Sequence, residues 1–278
     1  MKNNNLFSYQ PENPNQKIWR VCPDPKSSFI VLEIRTVKEN KLDKENTKKN
    51  TSQLVVLDSQ KKEIVGTAEM EATQTLVNFF DKTILLSEID FQNEMPLAKG
   101  LQALNMDFET IWELEEVNYY GIIEDKNKYK AVFSLQSNYY SVPLHFSNEG
   151  TENEKQTEIE AQQEDYSNLQ SKVKQHFYFM NEYITNHTNY KSISDFIFER
   201  TNQKAENSIL YTENESYLIC SYVTENDNYL LCTDKEGNLK SHFLIRENTK
   251  NPQEIILMQN KILWIDGNEF HFVEVVSL

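Results

Sequence analysis

The sequence predicts an all-β, propeller-like fold of about five blades, interrupted by a helical insertion. The main observation is a repeat in which an apolar strand runs through Asp or Asn and a polar turn into a second apolar strand. The repeat occurs at residues 54–65, 101–112 and 230–240, with a weaker copy at 142–151. Its turn residues Asp58, Asn105 and Asn148 lie 47 and 43 residues apart. Antiparallel hairpins at this spacing are typical of propeller blades.

Composition supports the same fold class. Aromatic residues make up 12% of the chain, and the 14 Tyr and 15 Phe are types that strands favour. With only 6 Gly and 7 Pro, the chain is neither collagen-like nor dominated by linkers.

The first half divides into three predicted blades, preceded by a polar arm over residues 1–16. The first blade covers residues 18–71, the second 72–116 and the third 117–150. Each contains three or four runs of alternating or continuous apolar residues, which indicate strands. In the second blade, Asp81 and Lys82 form the turn of a predicted hairpin.

The period then changes, which predicts a helical insertion at residues 151–207. Residues 147–165 are rich in acids, which predicts a solvated or disordered loop. Apolar residues then recur at helical spacing and predict a helix over 169–184. A second short helix is predicted at 193–198. The helical positions are Leu169, Val173, Phe177, Met180 and Ile184.

Strands resume after residue 207, and the chain ends in a set of three strands whose last turn is Asp266-Gly267. We expect the strand at residues 18–21 to complete this set and so close the ring. This arrangement predicts five blades, and four, six or an irregular seven stay open.

The charge of the chain restricts the classes of partner. A net charge of −15 disfavours both nucleic acid and anionic membrane surfaces. The N-terminus has no apolar signal segment, and the three cysteines fit a reducing compartment, so the expected location is the cytoplasm. No Cys/His ligand spacing or cofactor motif is present, so we expect no metal and no cofactor.

Two family resemblances support the fold. The segment at 104–112 resembles the tandem repeats of quinoprotein-type propellers, although it has Asn for Asp and lacks the turn Gly. Over roughly its first 115 residues, the chain also resembles an uncharacterised bacterial family with a propeller-like fold. That family has no assigned activity, so the resemblance implies a fold and no reaction. The motifs that carry it are Trp19-Arg20-Val21, Leu32-Glu33-Ile34-Arg35, Leu57-Asp58 and residues 96–101 leading into Trp112.

The candidate ligand-binding residues are Glu33, Arg35 and Lys99. Glu33 and Arg35 stand two apart in a predicted strand, so their side chains share a face. They are candidates to meet Lys99 at a central channel, and the alternative is an ordinary ion pair at a strand end. The other conspicuous side chains are predicted to be structural. Tryptophans 19, 112 and 264 and the tyrosine pairs at 119–120 and 139–140 are expected to pack between blades. The alternatives are a ligand pocket lined by the tryptophans and a binding surface formed by exposed tyrosines. The five histidines are treated as ordinary polar residues.

The candidate partner-binding residues are Phe177, Tyr178 and Tyr183 on the predicted helix. An amphipathic helix covers its own domain or docks a partner. No catalytic motif is present. We therefore expect a non-enzymatic binding or scaffolding protein that acts through protein–protein contacts. The alternative is a small-ligand binder or hydrolase-like enzyme that uses the central channel.

Overall fold

The computed structural model describes residues 6–36, 51–90, 97–125, 128–145, 161–165, 167, 169, 178–258 and 260–275, with the side chains of Asp90 and 97–99 left out. It confirms the predicted fold class. The fold is all-β and propeller-like, and it repeats a sheet of four or five antiparallel strands five times. The chain forms two compact units, Glu12–Lys174 (the N-terminal unit) and Met1–Pro11 with Gln175–Leu278 (the C-terminal unit). That residues 1–278 form a single domain stays a prediction.

The N-terminal unit holds three sheets, and each follows chain order. The first two agree with the predicted blades at 18–71 and 72–116, and the third gains its fourth strand from residues inside the predicted acidic loop. The strands are β2 (Gln16–Pro23), β3 (Phe29–Thr36), β4 (Ser52–Asp58) and β5 (Glu63–Met70); β6 (Gln74–Phe80), β7 (Thr83–Asp90), β8 (Leu97–Leu104) and β9 (Thr110–Glu115); β10 (Asn118–Asp125), β11 (Lys128–Leu135), β12 (Asn138–Pro143) and β13 (Gln162–Glu164).

The C-terminal unit holds two five-stranded sheets. One has the order β15-β16-β17-β18-β19, and the other has the order β1-β22-β21-β20-β14. The strands are β1 (Phe7–Tyr9), β14 (Tyr178–Phe179), β15 (Asn181–Ile184), β16 (Glu206–Glu213), β17 (Tyr217–Thr224), β18 (Asp227–Asp234), β19 (Leu239–Arg246), β20 (Ile256–Met258), β21 (Lys261–Asp266) and β22 (Glu269–Glu274). Helix α1 (Tyr190–Thr201) precedes β16 and contains the short helix predicted at 193–198.

The prediction that residues 18–21 complete the last sheet is wrong. Residues 18–21 lie in β2 and pair with β3 in the first sheet. The partner of β22 is instead β1, from the segment predicted to be a polar arm, with Phe7 opposite Phe272 and Tyr9 opposite Phe270. Three residues with two aromatic side chains are enough for an edge strand, because a neighbouring strand supplies the hydrogen-bonding ladder.

The prediction of a helix over residues 169–184 is wrong for residues 178–184. Residues 178–179 and 181–184 form β14 and β15, which pair with β20 and β16. Tyr178 and Met180 pack into the apolar core of the C-terminal unit, whereas Phe179 is exposed. That alternation has the period of a strand. Aromatic residues suit either period, and the open edges of β20 and β16 decide between them.

The predicted repeat has a common turn chemistry. The side-chain oxygen of Asn105 accepts main-chain N–H groups of Asp107 and Glu109, each at 2.9 Å. Asp58 accepts those of Gln60 and Lys61 at 3.0 and 3.3 Å. Each side chain therefore replaces a main-chain acceptor in its turn, which explains why Asp or Asn recurs there. Asn148 lies outside the described residues.

Buried carboxylates also join neighbouring sheets. Asp24 is fully buried after β2, and its two oxygens accept main-chain N–H groups of Asp81 and Lys82, each at 3.0 Å. These two residues form the predicted β6–β7 turn, and both have positive φ angles of 50° and 62°. Asp24 thereby fixes a strained turn of the second sheet from the first sheet.

Candidate functional site

The first strand of each sheet in the N-terminal unit is bulged near its start, at its third or fourth residue. The register of β2 shifts between Ile18 and Arg20, that of β6 between Leu76 and Asn78, and that of β10 between Tyr119 and Gly121. The extra residues are Trp19, Val77 and Tyr120. A bulge re-aims a side chain and is common beside binding sites. The three bulges therefore mark one recurrent irregularity of this unit, beside further register shifts in the β4–β5, β7–β8 and β8–β9 pairs.

Glu33, the first candidate ligand-binding residue, lies beside this position on β3. Its side chain is fully buried and forms an ion pair with Arg35. One carboxylate oxygen also accepts the Thr75 hydroxyl at 3.0 Å and the Leu76 main-chain N–H at 2.9 Å. Buried charge is tolerated because the carboxylate is paired and hydrogen-bonded. Glu33 thus accepts three hydrogen bonds from protein groups and joins the first sheet to the second.

Arg20 completes this junction from β2. It lies opposite Glu33 in the β2–β3 register and donates from Nη1 to the main-chain oxygen of Leu76 at 2.9 Å. Both main-chain polar groups of Leu76, next to the β6 bulge, are therefore bound by the first sheet. Asn78, which follows the β6 bulge, similarly donates to the Tyr119 hydroxyl next to the β10 bulge. The repeat thus extends from the turns to the contacts between sheets.

Trp19 contradicts the prediction that all three tryptophans are buried between blades. Trp112 and Trp264 are 3% and 5% exposed, as predicted, but Trp19 is 55% exposed. The bulge takes Trp19 out of the β2–β3 ladder, and the Arg35 guanidinium lies 5.0 Å from its ring centroid. This distance is typical of a cation–π contact. An exposed indole is thereby held in place by a cation rather than by apolar packing.

Lys17 adds a further cation to this surface. It is exposed and lies opposite Arg35 in the β2–β3 register. Among the described residues, Glu33 is the one carboxylate within ion-pair distance of Lys17, Arg20 or Arg35. The surface therefore carries three cations against one buried carboxylate, in a chain whose net charge is −15. We call Lys17, Trp19, Arg20 and Arg35 the Trp19 surface.

Of the four residues of the Trp19 surface, sequence reasoning selected Arg35 as a candidate site residue. It selected Glu33 and Arg35 by their spacing, and the structure brings them together as an ion pair. The side chain of Lys99, the third candidate, lies outside the described residues. Sequence reasoning did not select Lys17, Arg20 or Thr75 as site residues. A bulge in β2, which brings Lys17 and Trp19 to the surface together, leaves no signal in the sequence.

The two candidate partner-binding residues that the structure describes, Tyr178 and Tyr183, are half-buried. Tyr178 packs against the core of the C-terminal unit, and Tyr183 makes edge contacts with His187 and Tyr211 at centroid distances of 4.9 and 6.1 Å. Phe177 lies outside the described residues. The exposed apolar residues of these strands are the neighbours Phe179 and Ile184. The strand period moves exposure by one residue from what a helix predicts.

A second polar cluster lies under helix α1 in the C-terminal unit. The Tyr222 ring is fully buried, and its hydroxyl contacts His242 Nε2 at 2.9 Å and Gln203 Oε1 at 2.7 Å. The rings of Tyr222 and His242 are parallel within 2°. Burial raises the pKa of Tyr222 and lowers that of His242. Both groups are therefore held uncharged at neutral pH, which suits a structural hydrogen bond.

A stacked pair in the last sheet has unpartnered polar atoms. Trp264 and His271 lie opposite each other in the β21–β22 register, with ring centroids 5.0 Å apart. Within the described residues, neither Trp264 Nε1 nor His271 Nδ1 has a hydrogen-bond partner, although both atoms are buried. Such groups are rare in folded proteins and commonly mark a place for a water or ligand.

Cysteine placement leaves the three thiols free. Cys220 and Cys232 lie on the neighbouring strands β17 and β18, but Cys220 is opposite Leu231 and Cys232 is opposite Ile219. A register offset of one residue puts the two thiols on opposite faces of the sheet. Burial raises the pKa of each of the two thiols to about 12. In the described part of the chain, no group of three metal-ligating side chains is found, and no helix is long and apolar enough to cross a membrane.

The solved structures to which this chain is compared below share 10% identity or less with it. No protein-family model and no curated protein matches the chain. Among solved structures, an acylaminoacyl peptidase from Pyrococcus horikoshii matches 94% of this chain with 10% identity and a TM-score of 0.32. The chain spans only 38% of that peptidase. Apo AztD from Citrobacter koseri matches 92% of this chain and 86% of its own, with 7% identity and a TM-score of 0.26.

An exported protein from Bacteroides fragilis matches 99% of this chain and 97% of its own, with 8% identity and a TM-score of 0.24. At these identities and TM-scores, none of the three carries an argument about function. The resemblance to an uncharacterised bacterial family therefore stays a prediction.

Proposed function

We propose that this protein is a non-enzymatic binding protein that acts through protein–protein contacts, with the Trp19 surface as its binding site. The observation that carries the proposal is the 55% exposure of Trp19 beneath the Arg35 guanidinium. Trp and Arg are the residue types most enriched among the dominant contacts of protein interfaces. A large exposed aromatic ring that its own fold holds rigid loses little entropy when a partner covers it.

The surroundings of Trp19 support binding rather than catalysis. The two residues that the sequence suggested for ligand chemistry, Glu33 and Arg35, bind each other and the main chain of the second sheet. Their charged groups therefore join the first sheet to the second. We place the protein in the cytoplasm, because Cys22, Cys220 and Cys232 are free thiols.

The test is cross-linking and purification of the tagged, full-length protein from its own host, with Trp19→Ala beside it. Leu239→Ser is the matched control, because Leu239 is also an exposed apolar residue in a strand, at 46%. We expect one partner at a fixed stoichiometry with the wild type and the control, and its loss with Trp19→Ala. Thermal unfolding of each variant checks that the fold is retained. A partner retained by Trp19→Ala would refute the proposed site.

Small-ligand binding is a second candidate function, favoured by the unpartnered nitrogens of Trp264 and His271. A ligand or water with an acceptor group would satisfy the indole N–H. A thermal-shift screen of small metabolites against the wild type and His271→Phe tests it. A compound that stabilises the wild type alone supports this function, and equal shifts in both proteins would contradict it.

A further inference from the structure

We infer that the partner segment bound by the Trp19 surface is an acidic peptide, in which carboxylates alternate with apolar side chains. This inference rests on the proposed function and adds the chemistry of the partner. Lys17, Arg20 and Arg35 carry three positive charges, and the buried Glu33 offsets one of them. The remaining positive charge is complementary to carboxylates.

Free donors at the surface support carboxylate binding. Arg20 is exposed and donates from Nη1 to the Leu76 oxygen, and its guanidinium makes no other hydrogen bond or ion pair with the described residues. Lys17 is exposed, and its side-chain ammonium has no hydrogen-bond or ion-pair partner in that part of the chain. A guanidinium and an ammonium that are both open to solvent lose little hydration when they bind a carboxylate at an interface rim.

The indole explains the apolar part of the partner. Trp19 lies between Lys17 and Arg20 in the sequence, and the Arg35 guanidinium covers one side of its ring. The remaining exposed area of the ring is suited to an aliphatic or aromatic side chain next to a carboxylate. A partner segment that had only charged side chains would leave the exposed part of the Trp19 ring in contact with water.

The charge of the whole chain favours a short acidic segment over nucleic acid. The chain has 43 acidic and 28 basic residues. A nucleic acid carries one charge at every phosphate and extends beyond a small basic surface, so its remaining phosphates would meet a negative protein. A short peptide is confined to the basic surface and avoids most of that repulsion.

The test uses the full-length protein and a fluorescein-labelled peptide of alternating Glu and Leu, followed by fluorescence anisotropy. A peptide of alternating Gln and Leu is the neutral comparison, and labelled oligothymidylate is the nucleic-acid comparison. We expect the wild type to bind the Glu peptide at least tenfold more tightly than either, with weaker binding at high salt. Lys17→Glu should weaken that binding about tenfold. Lys204→Glu makes the same change in net charge at an exposed lysine of the C-terminal unit and should leave binding unchanged.

Other outcomes overturn the inference. They are equal binding of the Glu and Gln peptides, no binding of the Glu peptide, tighter binding of oligothymidylate, or equal effects of Lys17→Glu and Lys204→Glu. The proposed function fails separately. If Trp19→Ala loses its cellular partner while the Glu peptide does not bind, the function stands and the acidic partner is wrong. If the Glu peptide binds as expected while Trp19→Ala keeps its partner, the proposed function is wrong.

Discussion

Glu33 and Leu76 are joined by a hydrogen bond of 2.9 Å from the Leu76 main-chain N–H to the Glu33 carboxylate, across the boundary between two sheets. The Leu76 oxygen accepts a hydrogen bond from Arg20 at 2.9 Å, so both polar groups of one residue beside a bulge are bound by the neighbouring sheet. The charged residues of β2 and β3 therefore stabilise the contact between the first and second sheets, next to the exposed Trp19.

Removal of the Glu33 carboxylate is expected to destabilise the fold strongly. Glu33→Ala leaves Arg35 without its counter-charge and two buried donors without an acceptor, which costs about 3 to 5 kcal/mol. Glu33→Gln keeps one oxygen as an acceptor and should cost about 1 to 3 kcal/mol. Urea unfolding gives both values. Glu63→Ala, at an exposed glutamate on β5, is the control and should change stability by less than about 0.5 kcal/mol. Equal losses for Glu33→Ala and Glu33→Gln would contradict the role of the acceptor oxygen and would assign the whole effect to the charge.

The same substitution is expected to have opposite effects at two buried threonines. Thr75 is 2% exposed and donates to Glu33, whereas Thr233 is fully buried and its hydroxyl has no partner among the described residues. Thr75→Val should therefore cost about 1 to 3 kcal/mol, because it removes a donor to a buried carboxylate. Thr233→Val should stabilise by up to about 1 kcal/mol, because it removes an unsatisfied hydroxyl. Denaturant unfolding of the two variants measures the signs, and a loss of stability in Thr233→Val would indicate an unseen partner.

The turn of the first repeat is expected to depend on an acceptor oxygen rather than on charge. Asp58 Oδ1 accepts the Ser28 hydroxyl at 2.9 Å as well as two main-chain N–H groups of its own turn. Asp58→Asn keeps this oxygen and should cost well under half of what Asp58→Ala costs. The alanine variant should lose about 1 to 3 kcal/mol, since three partly buried donors lose their acceptor. Thermal and urea unfolding compare the two, and similar losses would show that the carboxylate charge matters more than the hydrogen bonds.

Acidification is expected to destabilise the C-terminal unit through His242. Burial lowers the pKa of His242 in the folded protein, so the unfolded chain binds a proton more readily. The stability from this group is therefore present above the unfolded pKa of about 6.5 and is lost as pH falls below it. His242→Gln should show a shallower loss of stability than the wild type between about pH 7 and pH 5. His187→Gln, at an exposed histidine, is the control. Equal slopes for the wild type and His242→Gln would contradict the prediction.

Sequence patterns identified most strands, but failed where two periods fit the same residues. Tyr178 and Met180 fit a strand, and Met180 with Ile184 fits a helix, so the pattern alone does not choose between them. The open edges of β20 and β16 make the choice, because a strand there satisfies their main-chain groups. Trp19 was assigned to the interior on its apolar character, and the bulge reverses its exposure.

The sequence by itself determined the local parts of this protein. The alternation of apolar and polar residues determined the strands, and Asp or Asn determined the turns. Both effects depend on residues that lie close together along the chain. Only the tertiary structure decided which strands share a sheet and which side chains meet. The pairing of Phe7 with Phe272 and the contact of Glu33 with Leu76 join residues far apart in the chain. Such contacts depend on packing and register between sheets. The residues of one segment alone do not specify which distant segment it will contact.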